Sequence, residues 1–493
     1  MKTANIQLAG SVLTRDPTNY ANRDQQFTNC FSYAVGDEIT GGRRIYTEKR
    51  RGYTRSNVSG MIEAKRGACV WKSNSTSPPP LVFSFTNGST TLRIYLDSGT
   101  QVGADLTASD CSSITDTDIS GTGNLVAIIQ NGSNLEGWYF PQAGAWTQIT
   151  DGQFPPNNGL TLSGSPVHLD GYMFVMCTNG QIWNSDLNSL SSWSANNFIT
   201  ANSSPDRGVG LARTKDIIVA FGLKTIQFYV NNGNPSGSPL LEIPNSVIRV
   251  GCYGAYTIKT IGDIVYFAGV NPETGQYGIY QLNGTELKKI STPDIEMFPQ
   301  GVPPACIGAF RTSLGYDHVL FDSPSAATPM SVYCSTNNRW WRMTTADSTV
   351  IRASLGKTYA GSGAYYFAGH IGTASAGIYA MDPTGTVFQD NGTNVAMTIQ
   401  TQPLDFGTGK YKYPAQVRLF GDKQSSTCNV AMSYSDDDAI TFSTPVNMDM
   451  STNSPAVFNP LGRFRRRVWK FTNAVNLPLR LERFEVDYEV GLT

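Results

Sequence analysis

Three consecutive aspartates, Asp436, Asp437 and Asp438, stand in the run Ser435-Asp436-Asp437-Asp438-Ala439-Ile440-Thr441-Phe442 and form the most pointed acidic cluster of the chain. Carboxylates so spaced offer two chemistries: ligation of a divalent cation by Asp436 and Asp438, or one half of the carboxylate pair that flanks a glycosidic bond. The second chemistry needs a partner acid across the sugar. Asp216 and Asp263 precede apolar runs, Asp294 and Glu296 follow one, and all four read as strand-end or turn residues rather than a catalytic pair. The three histidines, His168, His318 and His370, lie far apart and lack the spacing of a zinc site. No GxSxG elbow, Walker A loop or strand-turn-helix GxGxxG occurs in the sequence. Neither a metal nor another cofactor is expected, and the residues do not read as those of an enzyme.

The basic residues are more suggestive. Residues 39–72 carry nine Lys or Arg against Glu48 and Glu63, a balance of +7; residues 460–493 balance to +3, so the rest of the chain sums to −11 within a formal net charge of −1. Both ends are thus basic and the body acidic. Arg43, Arg44, Arg50 and Arg51 in the first cluster, and Arg463 to Arg467 in the second, could neutralise phosphate or pair with an acidic partner surface, the latter being the blander reading. On a strand, Arg465 and Arg467 share one face and Arg466 takes the other. Eight cysteines are scattered without a CxxC pair and read as reduced, structural thiols. The opening MKTANIQLAG lacks an apolar signal-peptide core, and no 18-residue apolar run exists. A soluble chain with no membrane span and no secretion signal is expected.

These groups need a frame, and hydrophobic periodicity supplies one. Short apolar runs begin at Leu81, Asn124, Tyr172, Asp216, Asp263, His318 and Ala364, with steps of 43 to 55 residues, each followed by a turn and a second run with a central aromatic. That period is the size of a β-propeller blade. Asn87-Gly88, Asn131-Gly132, Asn179-Gly180 and Asn232-Gly233 are each read as a hairpin turn after a first run. A third element, as at Trp146, Trp193 and Trp341, brings tryptophans to cap the space between blades. An all-β chain follows: an extended basic segment over 1–75 that docks or contacts another subunit, a β-propeller of about seven blades over 76–392, and a small β-sandwich or closing sheet over 393–493. SNSTSPPP at 73–80 marks the first boundary, because its prolines cannot enter a central strand.

Ser435 to Phe442 resembles the Asp-box of sialidases and related propellers, S-x-D-x-G-x-T-W, with Ala439 in place of Gly and Phe442 in place of Trp. The resemblance implies a bracing turn, structural even in enzymes, for Asp436, Asp437 and Asp438. The repeat aromatics read as packing between blades; a sugar-stacking platform built on Trp340 or Tyr365 is the sharper alternative.

Asn22-Arg23-Asp-Gln-Gln-Phe-Thr-Asn29-Cys30-Phe31, the basic stretch through Arg51-Gly52, the blade-length repeats and the ending SYSDDDAITFS…GRFRRRVWKFTNAVNLPLRLERFEV together resemble the tail hub or nozzle proteins of short-tailed bacteriophages, also called packaged-DNA stabilisation or tail accessory proteins. The resemblance implies a structural virion protein of the tail, assembled in the host cytoplasm as a ring, a hexamer, below portal and adaptor. Its other implied partners are tail fibres or spikes, and double-stranded DNA that passes through the channel without sequence recognition. An acidic lumen would keep that DNA from adhering. Subunit or adaptor contacts then fall to Arg43, Arg44, Arg50, Arg51, Arg465 and Arg467. Reversing Arg50 and Arg51 to Glu is expected to block assembly without unfolding the propeller. The departures from the family pattern are Ala439, and Asn473-Ala474 where relatives carry Leu-Gly. A carbohydrate-active propeller, sialidase-like or a tail depolymerase, and an inactive glycan-binding propeller with exposed tryptophans are the alternatives.

Overall fold

The computed structural model describes residues 1–8, 25–36 and 43–492, apart from positions 75, 89, 122, 143, 202–205, 235, 297–303, 313–314, 323–328, 360–361, 373–374, 453–454 and 460–461. Asn22, Arg23 and Asp24 of the N-terminal motif lie outside the described residues.

Each apolar run becomes the second strand of a four-stranded antiparallel sheet. Blade 1 consists of Glu63–Val70, Leu81–Thr86, Thr91–Leu96 and Leu106–Thr107, in that order from the inside outwards. Blade 2 begins at Asp110–Thr117, blade 3 at Leu162–Leu169 and blade 4 at Gly208–Thr214, with the same order. In blade 5 two short strands, Gly251–Cys252 and Lys259–Ile261, share the innermost position beside Ile264–Val270. Blade 6 runs from Cys306–Arg311 to Arg339–Met343. Blade 7 is assembled from both ends of the propeller: Val350–Tyr359, Ser362–Ile371 and Ser375–Met381 are completed by Tyr53–Asn57, which pairs antiparallel with the last of them from Tyr53↔Met381 to Asn57↔Gly377. Innermost strands contact those of the next blade all the way round, and blade 7 meets blade 1, so the ring is closed. The propeller therefore starts at Tyr53, and the expected boundary at 75/76 cuts through blade 1.

The second strands read as unbroken apolar runs because their two faces are covered by the neighbouring blades; all six residues of Leu81–Thr86 are buried. The innermost strands were silent in the sequence for the converse reason. Asp110–Thr117 (DCSSITDT) and Leu162–Leu169 (LSGSPVHL) line the axis, bury only part of their residues and carry register shifts, at Cys111/Ser113 and Ser163/Val167. Close approach at the axis explains two of their glycines: a Cβ on Gly308 would stand 2.0 Å from the Ser354 carbonyl oxygen, and one on Gly164 would stand 2.8 Å from the Gly210 Cα. Asn87-Gly88, Asn131-Gly132 and Asn179-Gly180 follow second strands as expected, whereas Asn232-Gly233 follows the third strand of its blade, Ile226–Asn231. The tryptophans bridge blades: Trp146 Nε1 donates to the Val102 carbonyl (2.9 Å) and Trp340 Nε1 to that of Ile290 (2.7 Å).

The remaining strands form a two-sheet sandwich. One sheet orders Cys30–Gly36, Arg43–Lys49, Arg480–Val490, Lys412–Gly421 and Ala456–Phe458, with Lys2–Gln7 also on Arg480–Val490. The other orders Gln26–Thr28, Met397–Gln400, Val468–Asn473, Asn429–Ser435 and Val446–Asp449. Their inner faces share a core in which Phe484 lies against both Trp469 and Phe471, with ring centroids 5.7 and 5.2 Å apart. The expected sandwich is present, but half of one sheet comes from the N-terminus. The segment expected as an extended docking arm is folded into the sandwich and the propeller, so the propeller is inserted within a β-sandwich. Thr28 bridges to Arg342 on the outer strand of blade 6, and Asp390 bridges to Tyr53 on that of blade 7, which places the sandwich on the rim at blades 6 and 7.

Candidate assembly surface

Of the arginines singled out from the sequence, Arg50 is the most deeply placed. It follows Arg43–Lys49 where the chain leaves the sandwich for blade 7, and is 2% exposed. All five of its N–H donors are used. Nε donates to Asn29 Oδ1 (2.8 Å), Nη1 to Asp390 Oδ1 (2.9 Å) and to the Arg51 carbonyl (2.9 Å), and Nη2 to the Thr344 carbonyl (2.6 Å) and to Asp390 Oδ2. Asn29, in a left-handed conformation at φ 57°, ties the same knot from the other side: its Nδ2 donates to Thr344 Oγ1 (2.7 Å) and to the Ala396 carbonyl (2.8 Å). The neighbouring Lys49 is fully buried, and its Nζ donates to Asn473 Oδ1 (2.9 Å) and the Val475 carbonyl (2.6 Å). Burial brings its pKa down to about 8. Asn473 is thus the acceptor for a buried ammonium.

The other arginines differ in their access. Arg43 lies opposite Gly36 in the strand ladder, and Arg44 is exposed on the same strand. Arg51 is half-buried, its Nη1 donating to the Pro383 carbonyl (2.9 Å) in blade 7's loop. Arg467 is 1% exposed, pairs with Asp436 through Nε (2.6 Å) and Nη2 (2.8 Å), and lies over the Tyr434 and Phe464 rings at 3.8 and 4.4 Å. Arg465, by contrast, is exposed, and it shares the Tyr411 ring with Arg463 at 4.5 and 4.8 Å. Arg50 and Arg467 are consumed inside the chain. Among the described side chains of this set, Arg44 and Arg465 reach the surface.

The three aspartates divide their labour. Asp437 braces the turn, accepting from Ser435 Oγ (2.6 Å) and from the backbone N–H of Ile440 (3.1 Å) and Thr441 (2.9 Å). These bonds bring its pKa down to about 2, the Ser435 hydroxyl contributing most. Asp436 holds Arg467 and Asp438 holds Arg466, so the two acids considered for a cation face guanidinium groups instead. Among the described residues no group of three His, Cys, Asp or Glu side chains converges for a metal.

The remaining chemical candidates are packed away. His318 is buried between Phe31, Phe310 and Trp341; it accepts from Trp341 Nε1 (3.1 Å), and burial brings its pKa down to about 3. His370 accepts the Ala64 N–H (3.3 Å). All eight cysteines are unpaired, and burial raises those such as Cys30 and Cys111. Trp340 and Trp341 are 1% and 2% exposed, so neither can stack a sugar. A cavity of about 420 Å³ lies where the sandwich meets blades 6 and 7, with Phe31, Glu48 and Arg51 on one wall and Phe310, Arg311 and Tyr365 on the other. Its second acid, Asp382, accepts from the backbone N–H of Thr386 and Val387, each at 2.7 Å, and acts as a loop brace.

A search of solved structures returns the crystal structure of the computationally designed Ika8 protein, 9% identical, covering 67% of this chain and all of that one at a TM-score of 0.37. Among curated proteins, the tail hub protein gp10 of Salmonella phage P22 is 29% identical over 98 residues, 20% of this chain; the match spans about a fifth (21%) of that relative's length. The family model described as "Bacteriophage P22 Gp10, beta-propeller" matches residues 41–304, from the strand that precedes Arg50 past the last strand of blade 5. With more than half of the chain matched and a closed propeller beneath the match, the protein belongs to the bacteriophage P22 Gp10 β-propeller family.

Proposed function

We propose that this protein is a structural subunit of the tail hub of a short-tailed bacteriophage. It assembles as a ring, a hexamer, below portal and adaptor, and DNA leaves the capsid through that ring. The family match over residues 41–304 carries the reading. What supports it physically is that the side chains that could do chemistry are engaged in structure: Asp436 and Asp438 by arginines, His318 by an aromatic box, Trp340 and Trp341 by burial. A closed propeller flanked by a sandwich is a stiff wall, and its surfaces are free for assembly. On this reading the protein is not an enzyme and needs no cofactor. Contacts to a neighbour or to the adaptor fall to the accessible members of the basic set, Arg44 and Arg465, with Arg43 and Arg51 beside them on the N-terminal strand and its exit. Fibres or spikes bind elsewhere on the hub.

Light scattering on the purified protein and imaging of particles carrying a labelled copy test this together. Expected are a closed ring in solution and density in the tail below the portal. A protein that stays monomeric at high concentration and is absent from particles would refute the proposal, and turnover in a glycan hydrolysis screen would replace it with the depolymerase reading.

A further inference from the structure

Between Arg93 and Arg207 the sequence holds ten Asp or Glu and not one Lys or Arg. Blades 2 and 3 fall wholly inside this stretch. Three of the ten acids have cations from outside it within ion-pair distance: Asp97 with Lys357 (3.0 Å), Asp105 with Arg93 (2.8 Å) and Asp110 with Lys65 (3.9 Å). The other seven have no cation within ion-pair distance among the described residues, and most are held by neutral donors. Glu136 accepts from Asn131 Nδ2 and Trp138 Nε1, Asp151 from the Gln153 and Trp193 N–H groups, and Asp170 from Asn231 Nδ2. None of these donors carries a formal charge. Asp118 and Asp170 are exposed. Blades 2 and 3 thus form an uncompensated acidic sector.

The topology fixes where that sector lies. The sandwich joins the rim at blades 6 and 7, and blade 3 is three blades away from each of them in the closed ring of seven, diametrically opposite. In the sandwich, strands Lys412–Gly421 and Arg480–Val490 run outward from the junction: Leu481 pairs with Thr47 near Arg50, while Val490 pairs with Lys412, roughly 30 Å further at about 3.3 Å per residue. Phe464 bridges to Lys412 at that far end, which puts Arg463 and Arg465 there. Neither has a carboxylate within ion-pair distance among the described residues. Tyr413 and Leu492 stand exposed beside them, at 46% and 95%. Acid without paired cations thus lies on blades remote from the junction, and arginines with aromatic and aliphatic surface lie at the sandwich end remote from it.

We infer that the acidic sector of blades 2 and 3 is the docking surface for a second copy of this chain, and that it receives that copy's Arg463–Arg465 end. This deepens the tail-hub ring and rests on it. The charge distribution selects the mode of contact. An end-to-end two-fold contact would set like charge on like charge, whereas head-to-tail contact pairs opposite charges at every interface and, unlike an antiparallel two-fold pair, can continue into a closed ring. DNA is excluded as the occupant because its phosphates would meet uncompensated carboxylates.

The test uses the full-length protein and three variants. In the first, Asp118→Asn, Glu136→Gln, Asp151→Asn and Asp170→Asn are combined; amides keep an accepting oxygen, so the turns are retained, which near-UV circular dichroism verifies. The second carries Arg463→Gln and Arg465→Gln, and the third joins both sets. Light scattering across a concentration series in 50 and 300 mM salt reads the concentration for half-assembly. Each set is expected to raise it about tenfold at low salt, with the joined variant no worse than the weaker of the two, because both remove the same contact. Losses that multiply in the joined variant, or assembly unchanged in the first, overturn the inference while leaving the ring intact; unchanged assembly with slowed DNA release would make the sector a lumen wall. A wild-type protein that never assembles overturns the ring and the contact together.

Discussion

Replacing Arg50 with Met isolates the ion pair that fastens the sandwich to the propeller. The Arg50 guanidinium and the Asp390 carboxylate have side-chain exposures of 1% and 0%, and the variant would leave Asp390 Oδ1 with no donor from that side. Asp390 Oδ2 would keep the Ala346 N–H (2.8 Å), and Asn29 Oδ1 would keep the Thr344 N–H (3.0 Å), so the loss is concentrated in the orphaned charge rather than spread over the network. Removing one partner of a buried pair costs about 3–5 kcal/mol, so Arg50→Met and Asp390→Leu should each destabilise by that amount. Arg50→Met with Asp390→Leu replaces both charges by apolar groups and should recover at least about 2 kcal/mol of the summed losses. Urea titrations followed by tryptophan fluorescence give the cycle. Single losses below about 1 kcal/mol, or no coupling between the sites, would refute the keystone role. Reversal of Arg50 to Glu would set a carboxylate against Asp390, so blocked assembly in that variant would report misfolding; Arg44 and Arg465 are the residues whose reversal speaks to contacts.

The buried ammonium of Lys49 makes a pH prediction. Its folded pKa of about 8 lies below its ordinary value of 10.5, so between those values the unfolded chain binds more protons and stability rises with pH; wild type should gain about 1.4 kcal/mol per pH unit there relative to Lys49→Met, in urea titrations from pH 7.5 to 10. A flat difference would show that the amine is solvated. Ala439 occupies a left-handed conformation at φ 65°, and Ala439→Gly should stabilise by about 0.5–1 kcal/mol, read as a higher urea midpoint at unchanged slope. Asp437→Ala should speed amide hydrogen exchange at Ile440 and Thr441 while leaving the sheets protected; in wild type the same loosening should appear as pH falls through about 2, since a carboxylate with a lowered pKa stabilises only while ionised. Tyr53→Ala empties a fully buried site in the strand that closes blade 7 and should cost about 3–5 kcal/mol by urea titration.

What the sequence determined by itself is whatever local burial writes into local pattern. The second strand of every blade is covered on both faces, so LVFSF, YMFVMC and IIVAFG stand out without reference to anything distant, and their spacing gave the blade count. The Asp437 turn was legible for the same reason, since its donors lie within four residues. The tertiary structure alone decided which charges are buried. Arg50 and Arg44 look alike in GGRRIYTEKRRG, yet Asp390, 340 positions away, takes one and leaves the other exposed. Likewise, that Lys2–Gln7, Gln26–Thr28 and Arg43–Lys49 join the sandwich strands Arg480–Val490 and Met397–Gln400, and that Tyr53–Asn57 closes blade 7, depends on backbone pairing across more than 300 residues, which no periodicity records. Pairing partners at such separations are chosen by where the chain returns in space, so the separation of the acidic blades from the Arg463–Arg465 end of the sandwich becomes visible only in the folded molecule.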